Sequence, residues 1–166
     1  LRDPHNVTFD LSQLFRDITF YSVGSLEKAI RSHEQALLIV RNINDRLRES
    51  RIIGRLGFAY RSLGKLDQTL ECHKLALSIT QEVGNRWNES LWLHNLGYTY
   101  RMLGQLNQAF NVYTEALSIT QKAASQTSEI KNPDFSILTF TRAIRARQST
   151  ILGNLGLLYY LLGQFQ

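Results

Sequence analysis

The chain repeats itself. Leu56-Gly57-Phe58-Ala59-Tyr60-Arg61-Ser62-Leu63-Gly64-Lys65-Leu66 returns 40 residues later as Leu96-Gly97-Tyr98-Thr99-Tyr100-Arg101-Met102-Leu103-Gly104-Gln105-Leu106. Ala76-Leu77-Ser78-Ile79-Thr80-Gln81 returns as Ala116-Leu117-Ser118-Ile119-Thr120-Gln121 at the same interval. Upstream, Gly24, Leu26, Ala29, Ala36, Leu37 and Ile39 precede their counterparts by 40 as well. Downstream, Leu155-Gly156, Tyr159 and Leu162-Gly163 restate Leu96-Gly97, Tyr100 and Leu103-Gly104 at an interval of 59, so 19 extra residues separate Gln121 from Ile151. Recurrence of this length marks a solenoid, whose units bury their apolar faces only against each other.

Each unit reads as two helices. Ile53, Leu56, Tyr60 and Leu63 recur at threes and fours and share one stripe; Leu66, Leu70, His73 and Leu77 make a second. Gly64, Gly104 and Gly163 stand where a first helix must stop, and Gly84 where a second one does, because glycine enters the left-handed cap conformation cheaply. The expected units span 8–43, 46–83, 86–124 and 133–166, with a polar loop over 125–132 beginning near Ala123. Asn132-Pro133-Asp134 reads as a helix start, Asn as cap and Pro in the first turn, so the first helix of the last unit is expected to be lengthened at its front. The insertion reads as a docking arm or as tolerated variation at a surface connection.

Leu-Gly, Tyr three places after that Gly, a second Leu-Gly and a later Ala-Leu together resemble the tetratricopeptide repeat signature. The resemblance implies an all-α, right-handed superhelical array of antiparallel helix hairpins. In it Gly57, Gly97 and Gly156 permit close helix crossing, Tyr60, Tyr100 and Tyr159 fill the seam, and Ala36, Ala76 and Ala116 let the second helix pack. The repeat is longer than the usual ~34 residues. It is similar to the long-helix variety of Pins-type adaptors, Rap-type peptide receptors and large bacterial multi-repeat proteins. The kinesin light chain variety fits less well, since its His-Pro-Asp linker has no counterpart. Arg16-Asp17 replaces Leu-Gly in the first unit, whose first helix is therefore expected to be degenerate. The last unit lacks a polar capping helix, and the array is expected to continue in a larger scaffold or regulatory protein.

The resemblance also implies a ligand groove along the first helices. Carried over position by position, it comprises Arg51, Arg55, Phe58, Arg61, His94, Asn95, Tyr98, Arg101, Asn154 and Tyr160. Arginine offers a planar fork to carboxylates, asparagine grips an extended backbone, and the aromatics offer apolar pockets. With a net charge of +5 and a pI near 9.6, the expected partner is an acidic peptide, extended or helical. Nucleic acid is the alternative, suggested by Arg142, Arg145 and Arg147.

Catalysis finds no footing: no nucleophile stands with a base, no metal spacing occurs, and no cofactor is implied. His33 and His73 hold equivalent seam positions where the next unit has Tyr113. Trp87 and Trp92 read as staples between units. Cys72, the sole cysteine, rules out a disulfide framework and suits a reducing, cytoplasmic setting. The run from Ile151 to Leu162 falls short of the ~20 residues a membrane helix needs. Its Leu152, Leu155, Leu158, Tyr159 and Leu162 lack a packing partner, and a homodimer through this face is expected.

Overall fold

The computed structural model describes residues 23–131 and 134–163. They form six α-helices, with no strand among the described residues: α1 (Val23–Asn42), α2 (Arg46–Ser62), α3 (Leu66–Glu82), α4 (Arg86–Met102), α5 (Leu106–Ser128) and α6 (Phe135–Gly163). Each packs against the helix before and after it in sequence, so the chain is a stack of helix hairpins. The first helix expected around Arg16 and Asp17 lies outside the described residues.

The turns follow the 40-residue frame. Gly64 and Gly104, both at φ 72°, close α2 and α4; Gly84 at 68° closes α3. Asn44 stands in for glycine after α1, at φ 53°, since asparagine tolerates the left-handed region. In each turn the following amide reaches back five residues: Asp45 to Val40, Lys65 to Tyr60, Asn85 to Thr80 and Gln105 to Tyr100, at 2.8–3.0 Å. These bonds occupy helix-end carbonyls that would otherwise lack partners. The side chains of Asp45 and Asn85 then accept from the amides of Arg48 and Asn88, starting α2 and α4.

Three boundaries differ from the sequence reading. Helix α5 runs through Ser128, so Ala123 to Ser128 are helical rather than loop. Lys122, Ala123, Ala124 and Gln126 propagate a helix well, and no Gly or Pro interrupts them. At the start of α6 the Asp134 carboxylate accepts from the Ile137 amide at 2.9 Å and the Ser136 hydroxyl at 2.7 Å, a cap made by Asp134 itself. Asn132 and Pro133 lie outside the described residues. Gly163, expected to stop the last first helix, still belongs to α6.

Close approach of each hairpin's two helices depends on one ring seated over one glycine. A Cβ built on Gly57 would sit 2.8 Å from the His73 ring, and one on Gly97 2.7–2.8 Å from the Tyr113 ring. His73, Tyr113, Ala76 and Ala116 are fully buried around these seats. Between hairpins, Trp92 lies over Gly54, where a Cβ would fall 2.0 Å from the indole, and it stacks on His73. Trp92 is thus a staple between units, as its sequence position suggested.

A polar latch repeats alongside this core. The buried Glu49 accepts from Arg41 of the preceding hairpin at 2.8 Å and from Arg46 at 2.5 Å. Glu89, 40 residues on, accepts from Gln81 at 3.3 Å and Arg86 at 2.6 Å. At the corresponding place in α6 stands Gln148, which carries no charge.

Gly156 holds the same frame position as Gly57 and Gly97 but has nothing within 4 Å of a built Cβ. Alanine at Gly57 or Gly97 is therefore expected to cost about 1–3 kcal/mol by overpacking. Gly156→Ala should be neutral or stabilising by up to about 1 kcal/mol, because only helix propensity changes there. Thermal melts of the three variants check this; equal losses at all three would contradict the ring-on-glycine account.

Candidate functional site

The first helices α2, α4 and α6 touch one another directly. Arg61 of α2 lies over the Tyr98 ring of α4 at 4.9 Å, and Trp92 of α4 meets Phe58 of α2. Asn154 of α6 donates to His94 of α4 at 3.1 Å. Arg147 of α6 reaches Trp87 and Ser90 of α4. A continuous inner face results, with α3 and α5 behind it.

The ten residues expected to line a groove fall into distinct places on this face. Arg51 and Arg55 are exposed and border a recess of about 230 Å³ with Arg48 and Ile52. Phe58, Arg61, Tyr98 and Arg101 gather at the centre: Arg61 covers both Phe58 (5.1 Å) and Tyr98, and Arg101 covers Tyr98 at 5.0 Å. His94 and Asn154 are spent partly on each other. Asn95 sits in the floor, 6% exposed, its Nδ2 without a hydrogen-bond partner. Tyr160, on α6, is 62% exposed.

Electrostatically the face is positive and nearly free of acid. Burial lowers the pKa of His73 to about 4, with Arg61 adding to the effect. Burial also lowers His94, helped by Arg147 and Arg61, and His33, helped by Arg55. These imidazoles are neutral at physiological pH, and each feels an arginine rather than a carboxylate. Asn154 donating to His94 Nε2 places the proton of that ring on Nδ1. His73 Nδ1 faces the Thr99 hydroxyl at 3.3 Å, while that hydroxyl donates to the Asn95 carbonyl at 2.9 Å. His73 Nδ1 is therefore the donor, and its Nε2 is buried without a partner. Burial pushes the Cys72 thiol to about 11, too high for a nucleophile at neutral pH.

Arg147 is the residue whose role sequence reasoning misjudged. Its guanidinium lies 3.4 Å from the Trp87 ring centre and donates to the Trp87 carbonyl at 2.7 Å and the Ser90 hydroxyl at 2.9 Å. Burial lowers its pKa to about 10, leaving it cationic. It is a staple between α4 and α6, and the stripe of Arg142, Arg145 and Arg147 loses a member. Trp87, edge-on to Phe140 at 5.1 Å, serves the same junction. Among the described residues no group of His, Cys, Asp or Glu is placed to hold a metal, and no helix is long and apolar enough to cross a membrane.

A stack of helix hairpins with a continuous inner face defines a helical-repeat interaction module. Residues 48–122 match the tetratricopeptide repeat family, so this segment is a tetratricopeptide repeat array, and the described helices on either side stack onto it. The crystal structure of BtubC (BKLC) from P. vanneervenii superposes with a TM-score of 0.55 at 17% identity, over 86% of this chain and 58% of that one. The chain therefore spans little more than half of BtubC, and the likeness is one of fold. No curated protein matches the sequence.

The buried neutral His73 gives a pH signature. Its folded-state pKa, about 4, lies below the ordinary 6.5, so the unfolded chain binds the proton first as pH falls. Stability is undiminished above 6.5 and declines between 6.5 and 4, by up to about 3 kcal/mol. His33 and His94 act in the same direction. Denaturant titrations across this range should show a flatter profile for His73→Phe; a profile parallel to the native chain would assign the loss elsewhere.

Proposed function

We propose that the chain is a non-catalytic module that captures an acidic peptide segment, extended or helical, along the face of α2, α4 and α6. It would do so as part of a larger cytoplasmic scaffold or regulatory protein. The observation that carries this reading is a segregation of charge between the two ranks of helices. Helices α2, α4 and α6 contain ten arginines and two glutamates, and both glutamates are buried and held by the latch. Helices α3 and α5 contain two lysines against four acids. The net charge of the chain is thus concentrated on the inner rank, where it favours an anionic partner and speeds its arrival. Between the arginines lie Phe58 and Tyr98, which suit apolar side chains of a peptide.

Arg51 and Arg55, on α2, have no acid partner among the described residues. Replacing both with Gln should weaken capture of a labelled peptide of alternating glutamate and alanine by about tenfold, with the thermal melt unchanged. Tighter binding of a single-stranded RNA than of this peptide, falling steeply with salt, would transfer the face to nucleic acid.

The outer side of α6 supports a self-association reading. Leu155 and Leu158, expected on the bare face, are instead buried against Ala109, Tyr113 and Ala116 of α5, but Leu152 and Tyr159 are 54% and 64% exposed, whereas Leu93, the counterpart of Leu152 in α4, is 1% exposed. Sedimentation of the chain should reveal a dimer that Leu152→Glu dissociates. A monomer at every concentration would remove this reading and leave the peptide face untouched.

A further inference from the structure

The insertion builds a cavity. Helix α5 continues past Lys122, the counterpart of Glu82 at the end of α3, and α6 begins at Phe135, well before Arg145, the counterpart of Arg86. The two extra stretches meet the start of α4 around a hollow of about 350 Å³. Ala123, Gln126 and Phe140 reach it from the extra stretches, Trp87 and Ile119 from the repeat frame. Most of this lining comes from α5, behind the inner face, and none of it is among the ten groove positions.

The charge at this hollow breaks the repeat. At the preceding junction Arg46 serves two acids at once, Nη1 donating to Glu49 and Nη2 to Glu82. Forty residues on, Arg86 Nη1 donates to Glu89 in the same way, at 2.6 Å. The second acid is missing there, because Lys122 stands where Glu82 stood. Both cations line the hollow, and no acid does. Among the described residues Lys122 has no ion pair, and Arg86 has only the one with Glu89. Two cations that share one opening repel each other until an anion joins them.

The rest of the lining is apolar and aromatic. Trp87 and Phe140 stand edge to face, ring centres 5.1 Å apart at 67°, and Ile119 and Ala123 complete the wall. A hollow of this size suits a small ligand with an apolar body and one or two polar anchors. A third ring would pack against the aromatic pair, and its anionic group would take the fork of Arg86.

We infer that this hollow, at the junction of α4, α5 and α6, binds a small aromatic carboxylate: its ring lies against Trp87 and Phe140, and its charge replaces the lost acid between Arg86 and Lys122. The inference is independent of the acidic-peptide reading, since it concerns a free small molecule at a place the repeat alone does not provide.

The test uses 2-naphthoate, a two-ring carboxylate, and its uncharged amide, with affinity read by calorimetry. The native chain should bind 2-naphthoate, melt at a higher temperature with it, and bind 2-naphthamide at least about tenfold more weakly. Lys122→Glu restores the ion pair of the preceding junction. It should weaken 2-naphthoate binding at least about tenfold while melting no lower than the native chain. Phe140→Ala should lose affinity severalfold. Should that variant lose its cooperative melt, Gln126→Trp takes its place: it fills the opening from an exposed position and should block binding. Arg51→Gln with Arg55→Gln should change the affinity less than about twofold. Equal binding of acid and amide would overturn the anion site. Binding that ignores Lys122 and Phe140 would place the ligand elsewhere, and no binding by the native chain would overturn the inference outright; neither result touches the acidic-peptide reading. Peptide binding that falls with Lys122→Glu, without any binding of 2-naphthoate, would give the hollow to a peptide side chain and overturn the small-molecule assignment.

Discussion

The stack depends on a ring lying over a hole. His73 over Gly57 and Tyr113 over Gly97 let the two helices of a hairpin approach until backbone meets side chain, which no residue with a Cβ would allow at these positions. Everything else in the architecture is registered from those crossings. Ala76 and Ala116 are small because they lie one turn beyond the ring, and Ile79 and Ile119 close the seam behind them. Once the crossings are set, the first helices of successive hairpins fall side by side, and Trp92 over Gly54 repeats the same device between units.

That geometry has an electrostatic result. With the apolar stripes committed to the seams, each helix keeps one face for solvent, and the stack sorts these faces into an inner and an outer rank. Arginines dominate the first and acids the second. The few carboxylates admitted to the inner rank, Glu49 and Glu89, are consumed structurally. Burial alone would raise the Glu49 carboxyl, but Arg41 and Arg46 hold it below its ordinary value. What is left facing outward from that rank is cationic and aromatic.

Much of this was legible in the amino-acid order. The repeat frame, stepping by 40 residues and then by 59 to α6, locates the described helices, and His73 and Tyr113 belong in the seam because they share a frame position. Gly64, Gly84 and Gly104 close helices as their flanking stripes implied. The readings that changed involve distance along the chain. Arg147 finds the Trp87 carbonyl, and Asn154 finds His94, each across 60 residues, and no local pattern encodes such partners. Asn95 was carried to the groove by its place before Leu-Gly, yet the neighbouring helices bury it. The end of α5 was misjudged because polar composition suggested a loop where helix propensity prevailed.

The junctions between hairpins are not built alike. The first is bridged by an ion pair, Arg41 to Glu49; the second by a neutral amide on a carboxylate, Gln81 to Glu89. At the third the acid is gone, and a guanidinium pressed on an indole takes over. Ion pairs at partly exposed sites weaken as mobile ions accumulate, whereas a cation on an aromatic face shielded from water is screened far less. The joints therefore differ in kind: the amino-terminal one rests on a pair of opposite full charges, the carboxy-terminal one on a cation against an aromatic face.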